Sequence, residues 1–214
     1  TGLTTSEWGR ALAALQRRIA FFGAHDSLAQ RVLQLAAPGV CDVYQGTELW
    51  DLSLVDPDNR RAIDFDARER MLTTLVDRDA KSLLAELRES WSDGRIKAWV
   101  TWRGLQLRRD HPQCFLESDV QCVDVEGDRA QHVCALSRHD GVWMIAAVAR
   151  LTATLVDPPA WPIGACWNGQ ALRVPVGAPT RWRSWTGNEL VAEDGVLALS
   201  EVFADLPCAM LVGA

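Results

Sequence analysis

The segment from residue 40 to residue 50 carries the side chains best suited to chemistry. A short apolar run, residues 40–44, ends in Tyr44-Gln45-Gly46 and opens into a loop with acidic and aromatic side chains. In barrel folds, polar groups at the carboxyl end of a strand face the active site. Tryptophan adds a flat apolar face, although Trp50 is equally compatible with a core position. The candidate binding residues are Tyr44, Gln45, Glu48 and Trp50.

The loop that follows contains a second group of polar candidates. Its run Asp56-Pro57-Asp58-Asn59 is a strong turn signal, with two arginines directly after it. Two interpretations stay open: these side chains hydrogen-bond a ligand, or they form a solvated turn held by Asp–Arg pairs. A calcium loop is disfavoured, because Arg61 stands where such a loop needs glycine. The candidates of this group are Asp56, Asn59, Arg60 and Arg61.

Helices must position this segment on both sides. Apolar residues between Trp8 and Phe22 recur at steps of three and four, which predicts a helix ending at Gly23. A second helix is predicted from Ser27 to the Pro38-Gly39 break. Between these helices and the three helical stretches that follow the loop, residues 40–44 predict one buried strand. The three later helical stretches lie near residues 66–76, 83–91 and 96–109.

A lone buried strand among amphipathic helices cannot satisfy its own backbone groups, because a central strand needs a neighbour on each edge. Residues 1–113 are therefore predicted to be the end of a larger parallel α/β unit. After Pro112 short β-type runs alternate with turn dipeptides, which predicts an antiparallel sandwich or barrel over residues 114–214. The predicted fold class is thus α/β plus all-β. The clearest predicted strands cover residues 132–137, 142–149, 171–174, 182–186, 189–192, 196–199 and 208–212.

Composition excludes several classes of function. The 28 acidic and 22 basic residues give a formal charge of -6 and a pI near 5.2, which argues against a nucleic-acid partner. The longest apolar run, residues 142–149, is too short to span a bilayer, so no membrane partner is expected. The 6 cysteines and 4 histidines lack metal-site spacing, so we expect buried free thiols, no metal and no cofactor. Without a signal-peptide pattern, the expected location is cytoplasmic.

The run from Pro38 to Trp50 resembles a known family. A short apolar strand that ends in Tyr44-Gln45-Gly46 and continues to Glu48 is similar to the last barrel strand of the α-amylase superfamily of glycoside hydrolases. With residues 52–61 included, it resembles the maltooligosyltrehalose synthases of that superfamily. Cys41 and Ala62 depart from the pattern, since proline is expected at both positions. The resemblance continues in residues 94–101, 125–133, 185–187 and 206–211, so it covers nearly the whole chain.

This resemblance implies a fold and an activity. Residues 1–113 would be the C-terminal part of a catalytic (β/α)8 barrel, and residues 114–214 a β-sandwich domain. The activity would be intramolecular transglucosylation, an isomerisation that turns the reducing-end α-1,4 linkage of a maltooligosaccharide into an α,α-1,1 (trehalose) linkage. The family's three catalytic carboxylates lie on earlier barrel strands, so this chain contains no catalytic residue and would be inactive alone. It would need the remainder of the barrel as a partner, and the eight candidates would bind substrate.

Two alternatives stay open on sequence. The chain is a non-catalytic carbohydrate-binding or assembly module derived from an α-amylase-type enzyme, or it belongs to an enzyme of the same superfamily that hydrolyses its substrate. Both alternatives share the fold class with the first interpretation. They differ from it in whether a linkage is rearranged, cleaved or only bound.

Overall fold

One long helix, α1 (Glu7–Ala36), forms the first element of the computed structural model, which describes residues 6–213. The hydroxyl of Ser6 caps it by accepting a hydrogen bond from the Gly9 amide at 3.0 Å. Three helices of ten or more residues follow, and two short ones. They are α2 (Phe65–Val76), α3 (Ala80–Glu89), α4 (Arg95–Asp110), α5 (Pro112–Leu116) and α6 (Leu199–Val202).

The predicted helix break at Gly23 is wrong, because α1 continues through it. The pattern that suggested a break is a change in which face of α1 is apolar. At 3.6 residues per turn, the apolar stripe of the first half lies about 150° around the axis from the stripe of the second half. The second stripe is buried, whereas the first, which we call the α1 stripe, is 48% to 66% exposed. The buried stripe contains Leu28, Val32 and Leu35, and the α1 stripe consists of Trp8, Leu12, Leu15 and Ile19.

The prediction of a buried strand over residues 40–44 is also wrong. These residues form no strand with any part of the chain that the structure describes, and Val40 is 91% exposed. The physical reason is the missing neighbour: no other strand of residues 6–213 lies beside this segment to pair with it. Two side chains instead bond one carbonyl within this segment and one just before it. Gln34 Nε2 donates to the Asp42 carbonyl at 2.5 Å, and Arg108 donates to the Gly39 carbonyl.

The second half of the chain forms two antiparallel sheets, which confirms the coarse prediction of helices followed by antiparallel strands. The larger sheet has the strand order β1-β3-β4-β9-β6-β7, and the smaller has the order β2-β5-β8. All seven predicted strands are present, and the sequence analysis missed two short ones, β1 and β2. The strands are β1 (Val120–Cys122), β2 (Val125–Glu126), β3 (Val133–Asp140), β4 (Val142–Ala149), β5 (Ala171–Arg173), β6 (Arg181–Ser184), β7 (Glu189–Val191), β8 (Val196–Ala198) and β9 (Cys208–Gly213).

Strand β4 is buried on both faces. Met144, Ala146 and Val148 pack against the helices, in a core that includes the buried stripe of α1 and Trp99 of α4. The alternate residues, such as Ile145, face the core between the two sheets. Side chains alternate sides along a strand, so an unbroken apolar run is what two-sided burial requires. The helices and the larger sheet therefore share one core, while the boundary between residues 113 and 114 stays a prediction.

Buried Arg138 of β3 ties three elements together. Its Nη1 donates to the Ala36 carbonyl at the end of α1 at 3.0 Å, and its Nη2 donates to the Phe115 carbonyl of α5 at 2.9 Å. Its Nε donates to the Cys114 carbonyl at 2.7 Å. These bonds satisfy carbonyl groups that a helix end leaves without an intrahelical partner. The guanidinium thus fixes where α1 and α5 meet the sheet.

The state of the cysteines and the length of the helices can be read directly from the structure. All 6 cysteines are free, as predicted, but only Cys114 and Cys208 are fully buried, and Cys122 is exposed. Between residues 6 and 213, no helix is both long enough and apolar enough to cross a membrane.

His25 joins α1 to the loop after β4. Its Nδ1 lies 3.0 Å from the Thr152 hydroxyl, and its ring packs against Phe21 and Trp161, with centroids 4.5 Å away in each case. Its Nε2 is buried and has no hydrogen-bond partner among the described residues. Burial lowers the pKa of His25 from 6.5 to about 4, because the charged imidazolium loses its hydration.

We predict that acid destabilises the chain through His25. Between pH 6.5 and 4 the unfolded state binds a proton that the folded state does not, so the free energy of unfolding should fall by up to about 3 kcal/mol from this group. Urea unfolding at intervals from pH 7 to pH 4 measures this. His25→Phe should flatten the dependence, whereas the control His139→Gln should keep it, because His25 is still present. An equal slope in wild type and His25→Phe would contradict the prediction.

Candidate functional site

The segment between α1 and α2 is held against the helices by side chains. Arg31 of α1 donates through Nη2 to the Thr47 carbonyl at 2.9 Å and lies 3.1 Å from its hydroxyl oxygen. The Thr47 amide in turn donates to the Tyr44 carbonyl at 3.0 Å, which closes a turn. Gly46 in this turn has φ +90, and a Cβ there would lie 2.9 Å from Ile63 Cδ1. The backbone angle favours glycine, whereas the close approach is to the far end of the Ile63 side chain, which can shift.

Of the first four candidates, Trp50 is the best placed for a ligand. Tyr44 and Gln45 are exposed at the turn, and Glu48 is engaged in an ion pair with Arg68 of α2. The Trp50 indole N–H donates to the Trp91 carbonyl at 2.7 Å, so the ring is fixed at one edge. That ring lines a cavity of about 770 Å³ between α1, the loop and the start of α4. A cavity of this volume is in the range of small-molecule sites.

The walls of this cavity are mostly apolar and aromatic, with a few polar groups. Sugar-binding sites have this character, because ring C–H groups pack on aromatic faces while hydroxyls take hydrogen bonds. Trp50 is the one member of the eight candidates that lines it, so the structure does not bring the eight together at this cavity. The principal lining residues are Phe21, Trp50, Asp51, Trp91, Lys97 and Pro158.

The second group of candidates forms a paired loop of its own. Arg60 Nη2 donates to Asp56 Oδ2 at 2.8 Å, and Arg61 pairs with Asp58. Asp58 Oδ2 also accepts from the Leu54 amide at 2.7 Å; these bonds, the amide first, hold the pKa of Asp58 below its usual range. Such contacts match the interpretation of a turn held by Asp–Arg pairs. A ligand role for Asp56, Asn59, Arg60 and Arg61 stays a prediction.

Asn59 differs from its neighbours in this loop. Its side-chain oxygen is buried and has no hydrogen-bond partner among residues 6–213. Burying an amide oxygen without a partner is costly, so this atom is the one in the loop that has most to gain from a donor supplied by another molecule. Asn59 is therefore a stronger candidate for ligand binding than the exposed Arg60 and Arg61.

Sequence reasoning missed two cations, Lys97 beside Trp50 and Arg31 close to Lys97. The Lys97 ammonium is 5.6 Å from the centroid of the Trp50 ring, and Arg31 shares a second cavity with it. Burial, with the nearby charge of Arg31, lowers the pKa of Lys97 from 10.5 to about 8. A lysine between apolar helix positions is commonly a solvated or snorkelling residue, which hides such a site in the sequence. The available signal was rarity, since Lys97 is one of only two lysines in the chain.

Sequence comparison finds relatives that are much longer than this chain. A protein of Mycobacterium tuberculosis (strain CDC 1551 / Oshkosh) named maltooligosyl trehalose synthase is 37% identical over 188 residues, which cover 87% of this chain and 20% of that protein. A protein of the same name from strain H37Rv matches with the same figures. The chain thus spans about one fifth of the length of these curated relatives. No protein-family profile matches it.

Structure comparison agrees with the sequence. The structure of maltooligosyltrehalose synthase from Arthrobacter ramosus superposes with a TM-score of 0.73 at 32% identity, covering 98% of this chain and 25% of that one. A second structure, titled as a maltooligosyl trehalose synthase, has a TM-score of 0.70 at 23% identity, covers 99% of this chain and 25% of that one, and supports the fold alone. The chain is accordingly homologous to the C-terminal portion of proteins named maltooligosyltrehalose synthase.

Proposed function

We propose that this chain is the C-terminal part of an enzyme that converts the reducing-end α-1,4 linkage of a maltooligosaccharide into an α,α-1,1 linkage. The observation that carries the proposal is the 37% identity over 87% of the chain to proteins named for this activity. The cavity beside Trp50 supports it independently, because an aromatic wall with a few hydrogen-bonding groups suits a sugar. The proposed location is the cytoplasm.

The proposed reaction is an isomerisation in which no water is consumed. A carboxylate nucleophile takes the glycosyl group at its anomeric carbon as the α-1,4 bond breaks, and a carboxylic acid protonates the leaving O4 of the terminal glucose. That glucose turns within the site, and its anomeric hydroxyl attacks the same carbon. The carboxylate then leaves and the proton returns to the acid's conjugate base. Water must be excluded meanwhile, since it would hydrolyse the covalent intermediate.

In this proposal the carboxylates belong to a part of the barrel outside residues 1–214, and the chain supplies binding groups. The eight candidate residues would form part of the wall on the glucose-accepting side. A chain without nucleophile and acid cannot make or break the glycosidic bond, so the proposed unit is inactive alone.

The α1 stripe supports contact with the remainder of the barrel. Four large apolar side chains on one helix face form a contiguous uncovered surface, which is unusual for a protein that needs no partner. The unpaired segment 40–44 adds backbone groups that a neighbouring strand would satisfy. The relatives are four to five times as long as this chain, so they have additional chain that is available to cover such a surface. We therefore propose that the α1 stripe packs against the preceding part of the barrel.

The activity is tested with maltopentaose. This chain alone should leave maltopentaose unchanged, whereas a protein of the relatives' full length that ends in this chain should yield a product of unchanged mass without a reducing end. Mass spectrometry with a reducing-sugar assay measures both properties. Shorter sugars with reducing ends would indicate a hydrolase instead. Submicromolar binding of maltopentaose by the chain alone, with no conversion by the longer protein, would indicate a binding module.

The proposed role of the α1 stripe is tested with a charge. Leu15→Glu should change the thermal unfolding of the chain alone by little, because the side chain is already exposed. It should weaken association with a separately expressed preceding part of the barrel by tenfold or more, because association would bury an unpaired carboxylate. Ala14→Glu adds the same charge on another face of α1 and is the matched control. Equal association of both variants, measured by calorimetry, would rule out this surface as the contact.

A further inference from the structure

A second cavity, of about 310 Å³, lies between α1 and the start of α4, and its lining is entirely polar or charged. Two of its lining residues are cations, and none is acidic. Lys97 lines both this cavity and the larger one beside Trp50. The lining residues are Ser27, Gln30, Arg31, Gln34 and Lys97.

Both cations are nine-tenths buried and incompletely partnered. Arg31 is 6% exposed and Lys97 is 8% exposed. Arg31 donates through Nη1 to Gln34 Oε1 at 2.6 Å and through Nη2 to Thr47, which leaves its buried Nε without a partner. The Lys97 ammonium makes no hydrogen bond or ion pair with any residue of the described chain, and it lies 5.6 Å from the centroid of the Trp50 ring.

The carboxylates near these cations are committed elsewhere. Glu48 pairs with Arg68, and the exposed Asp51 accepts a hydrogen bond from the Ser53 amide at 2.9 Å. Neither lines the cavity, so its positive charge is compensated only from a distance. Two like charges removed from water are costly unless an opposite charge joins them. A neutral ligand such as a sugar would leave that cost in place, whereas an anion would offset it.

We propose that this cavity binds an oxyanion, with Lys97 Nζ and Arg31 Nε as the charged donors. An anion with two or more oxygens can accept from both cations at once, and the amide of Gln30 and the hydroxyl of Ser27 offer further donors. The ligand chemistry is shared by a free inorganic anion such as phosphate and by a carboxylate group from a part of the protein outside this chain. The site does not depend on the proposed sugar chemistry.

The test uses inorganic phosphate and the two lysines of the chain. Calorimetric titration at constant ionic strength with chloride as background anion should show phosphate binding to wild type and to Lys81→Met, in which an exposed lysine is lost. Lys97→Met should weaken binding about tenfold or more, as expected for loss of a charge-assisted hydrogen bond. Circular dichroism shows whether Lys97→Met folds. Lys97→Arg, which keeps the charge, provides a second variant and should retain binding.

The pH dependence of binding gives a readout that a merely structural role would not change. With the pKa of Lys97 near 8, wild-type affinity for phosphate should fall as pH rises from 7 to 9, because the amine loses its charge. Burial lowers this pKa most, and the charge of Arg31 on α1 lowers it further, while the carboxylates of Asp51 and Glu48 on the loop act in the opposite direction. Lys97→Arg should remove the fall, since arginine stays protonated in this range.

The two sources of the anion are distinguished by comparing this chain with a longer protein that ends in it. If a longer protein that ends in this chain still binds phosphate through Lys97, the natural ligand is a free anion. If the longer protein no longer binds phosphate and Lys97→Met destabilises it, a carboxylate of the protein occupies the site. The proposal is overturned if the chain alone shows no phosphate binding, or if phosphate binds Lys97→Met and Lys81→Met equally. Maltopentaose conversion can succeed or fail independently of either result.

Discussion

Two-sided burial of β4 is the constraint on which the rest of the structure depends. One face of this strand closes the core between the two sheets, and the other forms the surface on which α1 and α4 pack. The helices have no such surface of their own, since the strand predicted among them does not form. Arg138 adds direction to this packing because its guanidinium donates to carbonyls at the ends of α1 and α5, which reach it together in one arrangement. The position of α1, and hence of everything that Arg31 and Gln34 hold, follows from the sheet.

Helix α1 also explains why apolar surface is well covered in one part of the chain and exposed in another. Apolar surface is favourable only when it is removed from water, and α1 has two apolar faces about 150° apart, a separation too wide for one partner to cover. The sheet covers the face that contains Leu28 and Val32, while the α1 stripe has no partner among the described residues. Segment 40–44 likewise has backbone groups without a strand partner. Gln34 of α1 and Arg108 of α4 each bond one carbonyl, those of Asp42 and of the preceding Gly39, where no neighbouring strand does so.

Sequence patterns predicted the sheets well and the first half less well, for a physical reason. Strands such as β4 and β9 are marked by continuous apolar runs and by turns at their ends, which are local signals. The strands β1 and β2 are short and exposed in part, so they leave little apolar pattern. The continuity of α1 through Gly23 depends on which face is covered, and the absence of a strand at residues 40–44 depends on a neighbour. Tertiary contacts decide both of these, and local propensity does not.

The candidate site shows the same division between local and tertiary information. An aromatic residue after an apolar run identified Trp50, but its orientation follows from contacts that lie about forty residues further along the chain, at Trp91 and Lys97. A ring fixed at its edge by the Trp91 carbonyl, with a cation over one face, can offer a ligand only its other face. Because the ring is already ordered, a ligand that stacks there does not have to immobilise it. Lys97 is also the link between the two cavities, so a change in its charge alters the surroundings of Trp50 and of Arg31 together.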